Sequence, residues 1–166
     1  MTKTSGSVTL AAGRDPAGLA LAGDTLVAGH AFAEKLVMQK PLSFWGGYDS
    51  TAGRIVDRSH PLAGQSLAGR IMVMEHAKGS SSSSSVLAEA VRNGTGPVGI
   101  ILRERDLIIA IGAIVAAELY AIAVPVVCVD EQTFTAIVGA SGPLRIEAAD
   151  GAGAARIYLG SHVHRT

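Results

Sequence analysis

Cysteine is almost absent from this sequence of 166 residues, which contains only Cys128. A single thiol excludes an internal disulfide and cannot by itself hold a metal cluster, so we expect a reduced, cytoplasmic setting. The N-terminal segment MTKTSGSVTL lacks the apolar core of a signal peptide, which agrees with that expectation. His162 and His164 offer only two ligands near the C-terminus, so we predict no metal site in this chain.

Charge is also scarce, because charged residues make up 17% of the sequence and the 14 basic and 14 acidic side chains cancel. The sequence has no cluster of basic residues that would attract nucleic acid or an anionic membrane, so neither is an expected partner. Residues 107–129 form an apolar run with one charge, Glu118. Pro125 divides this run into a helix and a short strand, so a membrane span is not expected.

Aromatic residues account for 4% of the sequence, whereas 48% is hydrophobic and 20 residues are glycine. This composition is ample for a buried core, and one compact domain over residues 1–166 is expected. Small side chains favour closely packed elements and an apolar face left for a partner. The chain is therefore expected to be a subunit or an oligomer.

The middle of the chain alternates between buried strands and helices. RIMVMEH, VGIILR and VPVVCV are short apolar runs typical of buried strands. A helix with Val86, Leu87, Ala90 and Val91 on one face separates the first two, and a helix capped by Asp106 separates the second pair. This order predicts a parallel sheet.

The two ends of the chain are richer in β-structure. Glycine-rich alternating segments before residue 30 predict short strands, and PLRIEAADG with ARIYL predicts a hairpin after a short helix over residues 131–138. The fold class predicted from the residues is mixed α/β.

The segment KGSSSSSS, residues 78–85, stands between a predicted strand and a predicted helix. Serine runs are usually flexible linkers, but here the flanking elements must pack together, so the run is better interpreted as a strand-to-helix turn. We expect the amides of Ser80, Ser81, Ser82 and Ser83 to be unpaired donors at a helix N-terminus, which favours an anion. The segment matches neither the nucleotide P-loop nor the G-x-S-x-G hydrolase motif.

Five blocks together resemble the small subunit of aconitase X, a two-subunit hydro-lyase, over roughly residues 40–128. They are LSFWGGYDSTAGRIVD, HPLAGQSLAGRIMVM, KGSSSSSSVLAEAVRNG, VGIILRERD and GAIVAAELYAIAVPVV. The resemblance implies a swivelling β/β/α domain similar to the last domain of aconitase. It also implies a large catalytic partner subunit that binds the iron–sulfur cluster, with none bound by this chain alone.

The resemblance further implies that Ser80 is the base that abstracts a proton from a small hydroxy-acid substrate. Ser81, Ser82, Lys78 and Gly79 are the implied substrate contacts, with Ser81 and Ser82 as alternative helix caps. A serine hydroxyl becomes a base only if amides, a helix dipole and nearby cations stabilise its alkoxide.

Two further groups are candidates for a place beside the site or at the subunit interface. Trp45, Gly46 and Gly47 form a predicted loop that either packs over the substrate or anchors the partner subunit. Asp57 and His60 either line the cleft as a polar pair or belong to a turn stabilised by the aspartate.

Two reactions are implied by the family. One is dehydration of cis-3-hydroxy-L-proline to pyrroline-2-carboxylate, and the other is dehydration of mevalonate 5-phosphate. The sequence has ten arginines and four lysines, a ratio more typical of mesophilic bacterial proteins than of thermophilic archaeal ones. This ratio favours the dehydration of cis-3-hydroxy-L-proline. The alternative hypothesis, from another class of function, is that the chain is a non-catalytic binding or interaction module whose serine segment binds an anion.

Overall fold

The structure is a computed structural model that describes residues 20–151 and 153–160. Its strands are β1 (Ala20–Val27), β2 (Gly29–Ala33), β3 (Lys35–Met38), β4 (Tyr48–Asp49), β5 (Arg54–Ile55), β6 (Ile71–Met74), β7 (Gly99–Leu102), β8 (Val126–Cys128), β9 (Leu144–Ala148) and β10 (Ala154–Leu159). Its helices are α1 (Phe44–Gly47), α2 (Ser83–Arg92), α3 (Leu107–Tyr120) and α4 (Glu131–Gly139). The strands predicted in the first 19 residues, and the two C-terminal histidines, lie outside the described residues.

Eight of these strands form one sheet in the order β2-β9-β10-β1-β8-β7-β6-β3. The half that contains β3, β6, β7 and β8 is parallel, as the alternation of strands and helices predicted. The other half is antiparallel, and its β9–β10 hairpin is also confirmed. The chain is therefore mixed α/β, as expected.

The two halves of the sheet curl over one buried cluster. Ile71 and Ile101 of the parallel half share this cluster with Ile146 and Ile157 of the antiparallel half. Because both halves bury one face against the other, the sheet is mostly closed.

Helices α2 and α3 cover the outer face of the parallel half. Leu87 of α2 and Ile109 of α3 are buried there with Met72 and Ile100 of the sheet. The carboxylate of Asp106 accepts a hydrogen bond from the amide of Ile109 at 2.8 Å, which confirms the predicted N-cap of α3. Over the described ranges, none of the helices has the length and apolar character to cross a membrane.

The carboxyl ends of the parallel strands lie at one edge of the sheet. There β6 is followed by the serine segment and α2, β7 by Arg103, and β8 by Val129. Loops at this edge of a parallel sheet commonly carry ligand sites, and the fold brings the serine segment to it.

Candidate functional site

Residues 78–82, the serine loop, form an exposed turn between β6 and α2. All five residues are exposed, whereas Ser83, the first residue of α2, is buried with 3% of its surface accessible. Burial thus distinguishes Ser83, at the start of α2, from the exposed serines 80–82 of the loop. Ser80, Ser81 and Ser82 have hydroxyls accessible to a ligand, and Ser83 does not.

The start of α2 is tighter than expected. The amide of Ser83 donates to the carbonyl of Ser80 at 3.0 Å, and that of Ser84 donates to the carbonyl of Ser81 at 3.1 Å. The prediction of an unpaired amide was therefore wrong for Ser83, because a short-range turn satisfies it. The amides of Ser80, Ser81 and Ser82 have no backbone partner among the described residues.

The hydroxyl of Ser82 does not cap the helix. Ser82 occupies the N-cap position in a helical conformation, and its side chain makes no capping hydrogen bond. A helix N-terminus with unfilled donors, and with partial positive charge from the helix dipole, suits an anion or a developing alkoxide.

Gly79 allows the serine loop to approach the segment before α1. Its φ angle is +105°, a backbone conformation that residues with a side chain rarely adopt. A Cβ placed there would overlap the Oγ of Ser43 and lie 2.9 Å from the Ser43 Cβ. Gly79 is thus required by backbone geometry and by close packing, in addition to any contact with substrate.

Trp45 lies beside the serine loop. Its amide donates to the Oγ of Ser83 at 3.1 Å, and its carbonyl accepts from the Oγ of Ser43 at 2.9 Å. Its side chain is 61% exposed. The predicted loop is a single irregular turn, α1, because Trp45 has a ψ of 114° and Gly46 a φ of 76°. Gly47 is buried at its end.

Asp57 lies close to this group, and its carboxylate stabilises a turn. Oδ1 accepts from the amide of Ser59 at 2.9 Å and from its hydroxyl at 2.6 Å. These bonds from Ser59, with smaller contributions from the Lys78 and His60 charges, hold the pKa of Asp57 below its usual value. The geometry favours the turn interpretation, because both hydrogen bonds of the Asp57 carboxylate are made to Ser59.

His60 is 4% exposed and holds two segments together. The amide of Leu62 donates to Nδ1 at 3.0 Å, so Nε2 carries the proton and donates to the carbonyl of Lys40 at 3.0 Å. Both ring nitrogens are occupied by the backbone. His60 therefore supports the segment that leads to Ser43 and Trp45.

Sequence reasoning missed the contact between Ser43 and Ser83 at this site. Their hydroxyls lie 3.4 Å apart although 40 positions separate them in the chain. A lone serine in PLSFWGG gives no signal of such a contact. Ser83 was one of six identical letters, and only its burial distinguishes it.

A separate recess of about 450 Å³ lies near the carboxyl end of β8. Asp24 and Asp130 contribute carboxylates to its wall, and Cys128 contributes a partly buried thiol. One of the two aspartates, Asp24, is paired with Arg105 at 3.0 Å. Among the described residues, the recess offers no uncapped helix N-terminus of the kind found at the serine loop, so it is a poorer place for an anionic substrate.

The donors of this chain do not fit an iron–sulfur cluster. Such clusters are held mainly by several cysteine thiolates, and the sequence has Cys128 alone. Within residues 20–151 and 153–160 there is no group of three or more His, Cys, Asp or Glu side chains that could hold a metal ion.

The family model described as the aconitase X swivel domain matches residues 20–153. A cis-3-hydroxy-L-proline dehydratase from Pseudomonas aeruginosa is 46% identical over 108 residues, which are 65% of this chain and 19% of that enzyme. A phosphomevalonate dehydratase small subunit from Methanosarcina acetivorans is 41% identical over 96 residues, which are 58% of this chain and 67% of that subunit. The chain thus corresponds to about a fifth of the first relative.

The fold comparison agrees with the sequence comparison. The crystal structure of Thermococcus kodakaraensis aconitase X in its holo-form superposes with a TM-score of 0.67 at 32% identity. The alignment covers 84% of this chain and 98% of that chain. The swivel-type fold expected from the sequence is confirmed.

Proposed function

This chain belongs to the aconitase X swivel domain family, and on that premise we propose that it is the small subunit of a hydro-lyase in which Ser80 is the proton-abstracting base. The observation that carries the proposal is the position of Ser80. It is an exposed hydroxyl at the N-terminus of α2, beside amides without backbone partners, at the carboxyl edge of a parallel sheet. The named relatives are dehydratases or dehydratase subunits.

The family resemblance selects Ser80 among the three exposed serines of the serine loop, and the local chemistry is compatible with a base there. Its alkoxide would be stabilised by the amides of Ser81 and Ser82, by the α2 dipole and by the exposed ammonium of Lys78. The alkoxide takes the proton on the carbon beside the substrate carboxylate. The electron pair of that C–H bond forms the new C=C bond as the hydroxyl leaves from the adjacent carbon and is protonated to water.

The favoured substrate is cis-3-hydroxy-L-proline, with pyrroline-2-carboxylate as the product. The 46% identity to the Pseudomonas enzyme and the arginine-rich composition support this choice. Mevalonate 5-phosphate is the second candidate, because the small subunit from Methanosarcina is 41% identical and because Lys78 with free amides also suits a phosphate.

The remaining parts of the enzyme are assigned to a large partner subunit. The serine loop is exposed and forms only one wall of a site, so another surface must complete the cleft. We assign the iron–sulfur cluster to that subunit, where it would supply Lewis-acid chemistry to the leaving hydroxyl. Trp45 and Asp57 would lie at the rim of the closed cleft. The cytoplasmic location stays a prediction from the sequence.

The test is co-expression with the aconitase X large subunit of the same genome under anaerobic conditions, followed by assays of water loss from both substrates. Ser80→Ala should lower kcat by about 10³-fold or more with the subunits still associated, because it removes the proposed proton acceptor. Ser85→Ala, an exposed serine within α2, is the matched control and should retain near-full activity.

Three results would count against the proposal. Near-full activity of an associated Ser80→Ala complex would exclude Ser80 as the base. Activity of the isolated chain would contradict the need for a partner. Failure of the wild-type complex to dehydrate either substrate would favour a non-catalytic anion-binding module.

A further inference from the structure

Helix α3 leaves an apolar strip uncovered. Leu107, Ile111 and Ile114 follow one another at spacings of four and three residues, which places them on one side of the helix. Their exposed fractions are 75%, 50% and 44%. The next position on this side is Glu118, which is exposed and charged. We call Leu107, Ile111 and Ile114 the α3 strip.

The α3 strip begins at the sheet edge that carries the serine loop. Leu107 is the first residue of α3, five positions after the end of β7. Gly112 packs against the first turn of α2, since a Cβ at Gly112 would lie 2.9 Å from the carbonyl oxygen of Ser84. Helix α3 thus packs against the start of α2, the helix that follows the serine loop.

Trp45 extends the same surface on the other flank of α2. Its indole is 61% exposed, and its amide is hydrogen-bonded to Ser83 at the start of that helix. Exposed apolar side chains therefore flank the polar serine loop on both sides. A polar reactive loop between apolar flanks has the composition of a site closed by another protein surface.

The serine loop alone is too small and too polar to hold a partner. A stable interface buries about 800 Å² on each side and has an apolar centre. The five residues of the loop are all exposed and include no large apolar side chain. Uncovered apolar side chains on the two flanks of α2 are provided by the α3 strip and by Trp45.

We propose that the α3 strip, together with Trp45, is the surface on which the large catalytic subunit docks. This inference rests on the proposed function, because it identifies the occupant as the protein that closes the cleft over Ser80. A second copy of this chain would cover the serine loop without adding the cysteine ligands of a cluster, because the sequence has Cys128 alone. On this side of α3 the apolar strip ends at Glu118.

The experiment compares the wild-type chain with the double variant Leu107→Lys/Ile111→Lys in binding to the purified large subunit. Each buried lysine should weaken binding by about tenfold, so we expect the dissociation constant to rise about 100-fold. Phe32→Lys is the matched control, since Phe32 is 70% exposed on β2 in the antiparallel half. Its dissociation constant should stay within about twofold of wild type. Circular dichroism verifies that the variants are folded.

The outcomes separate this inference from the proposed function. Wild-type affinity of the double variant in an active complex would overturn the docking surface and leave the dehydratase function standing. Loss of binding only in the double variant, with an inactive wild-type complex, would support the surface and contradict the function. The docking surface would also be overturned if the wild-type chain did not bind the large subunit. The same conclusion would follow if the wild-type chain formed a homodimer that the double substitution dissociated, while the double variant still bound the large subunit.

Discussion

The amide of Trp45 donates a hydrogen bond to the Oγ of Ser83 across 3.1 Å. One partner carries an indole that is 61% exposed, and the other is a buried serine at the first position of α2. The bond therefore links the exposed aromatic residue to the helix whose N-terminus supports the serine loop. Since Trp45 is the sole tryptophan in the sequence, its fluorescence reports directly on this connection.

Ser83→Ala should destabilise the fold and alter the environment of Trp45. The substitution leaves the part-buried amide of Trp45 without its acceptor, which costs about 1 kcal/mol. Urea unfolding followed by tryptophan fluorescence measures both effects. Ser85→Ala replaces an exposed serine of the same helix and should change stability by less than about 0.5 kcal/mol. Equal stabilities of the two variants would show that the Ser83 bond contributes nothing.

Gly79→Ala should be more damaging than an alanine at another glycine with positive φ. At Gly79 the new Cβ would meet both strain at φ +105° and overlap with Ser43. Gly69 has a φ of +68°, and a Cβ there would have no neighbour within 4 Å, so Gly69→Ala measures the backbone cost alone. We expect Gly79→Ala to lose about 1–2 kcal/mol more than Gly69→Ala.

Relief of the overlap provides a second measurement at the same place. Ser43→Gly removes the side chain that the new Cβ would meet, so it should recover part of the stability lost in Gly79→Ala. The recovery is measured in a double-mutant cycle by urea unfolding. An additive result would mean that Ser43 does not restrict position 79.

The sequence was sufficient for the parts of the fold that depend on local pattern. The buried strands β6, β7 and β8 are short apolar runs, and α3 has an aspartate cap that the structure places 2.8 Å from its amide partner. These signals are local because periodicity and capping involve residues within one turn of one another. The resemblance in five ordered blocks then identified the family.

The contacts around the candidate site could not be predicted in the same way. Ser43 and Ser83 meet across 40 positions, and His60 reaches the carbonyl of Lys40 across 20. Such pairs depend on how β3 and β6 are placed side by side, which no local pattern encodes. The prediction of unpaired amides was also wrong for one residue, Ser83, because the first turn of α2 is tighter than a regular helix.

Asp130 should stabilise α4 in a pH-dependent manner. Its carboxylate accepts from the amide of Thr133 at 2.8 Å, and this bond is the main reason that its pKa lies below the usual value. A carboxyl with a lowered pKa in the folded state contributes stability above its ordinary pKa, and the contribution is lost as pH falls through the lowered value. The stability advantage of wild type over Asp130→Ala should therefore be largest near neutral pH and shrink in acid.

Thermal melts of both proteins between about pH 7 and about pH 2.5 measure this difference. Asp130→Asn is the matched control, because its amide oxygen can accept the same hydrogen bond without a charge. It should be more stable than Asp130→Ala throughout the range. A difference between wild type and Asp130→Ala that does not change with pH would contradict the assignment.

Cys128 should react slowly with alkylating reagents in the folded protein. Partial burial raises the pKa of its thiol, with smaller contributions in the same direction from the carboxylates of Asp24 and Glu104. The thiolate is the reactive form, so a raised pKa lowers the reactive fraction at neutral pH. The thiol also lies 3.3 Å from the carbonyl of Arg103, to which it donates.

The rate of reaction with iodoacetamide, measured against pH, tests this prediction. The same chain unfolded in urea is the control, because it carries the same single thiol without burial. The folded chain should reach half of its maximal rate at a higher pH than the unfolded chain. Arg105 opposes the shift, so Arg105→Gln should move the profile further up and Asp24→Asn should move it down. A folded profile at or below the unfolded one would show that burial does not control this thiol.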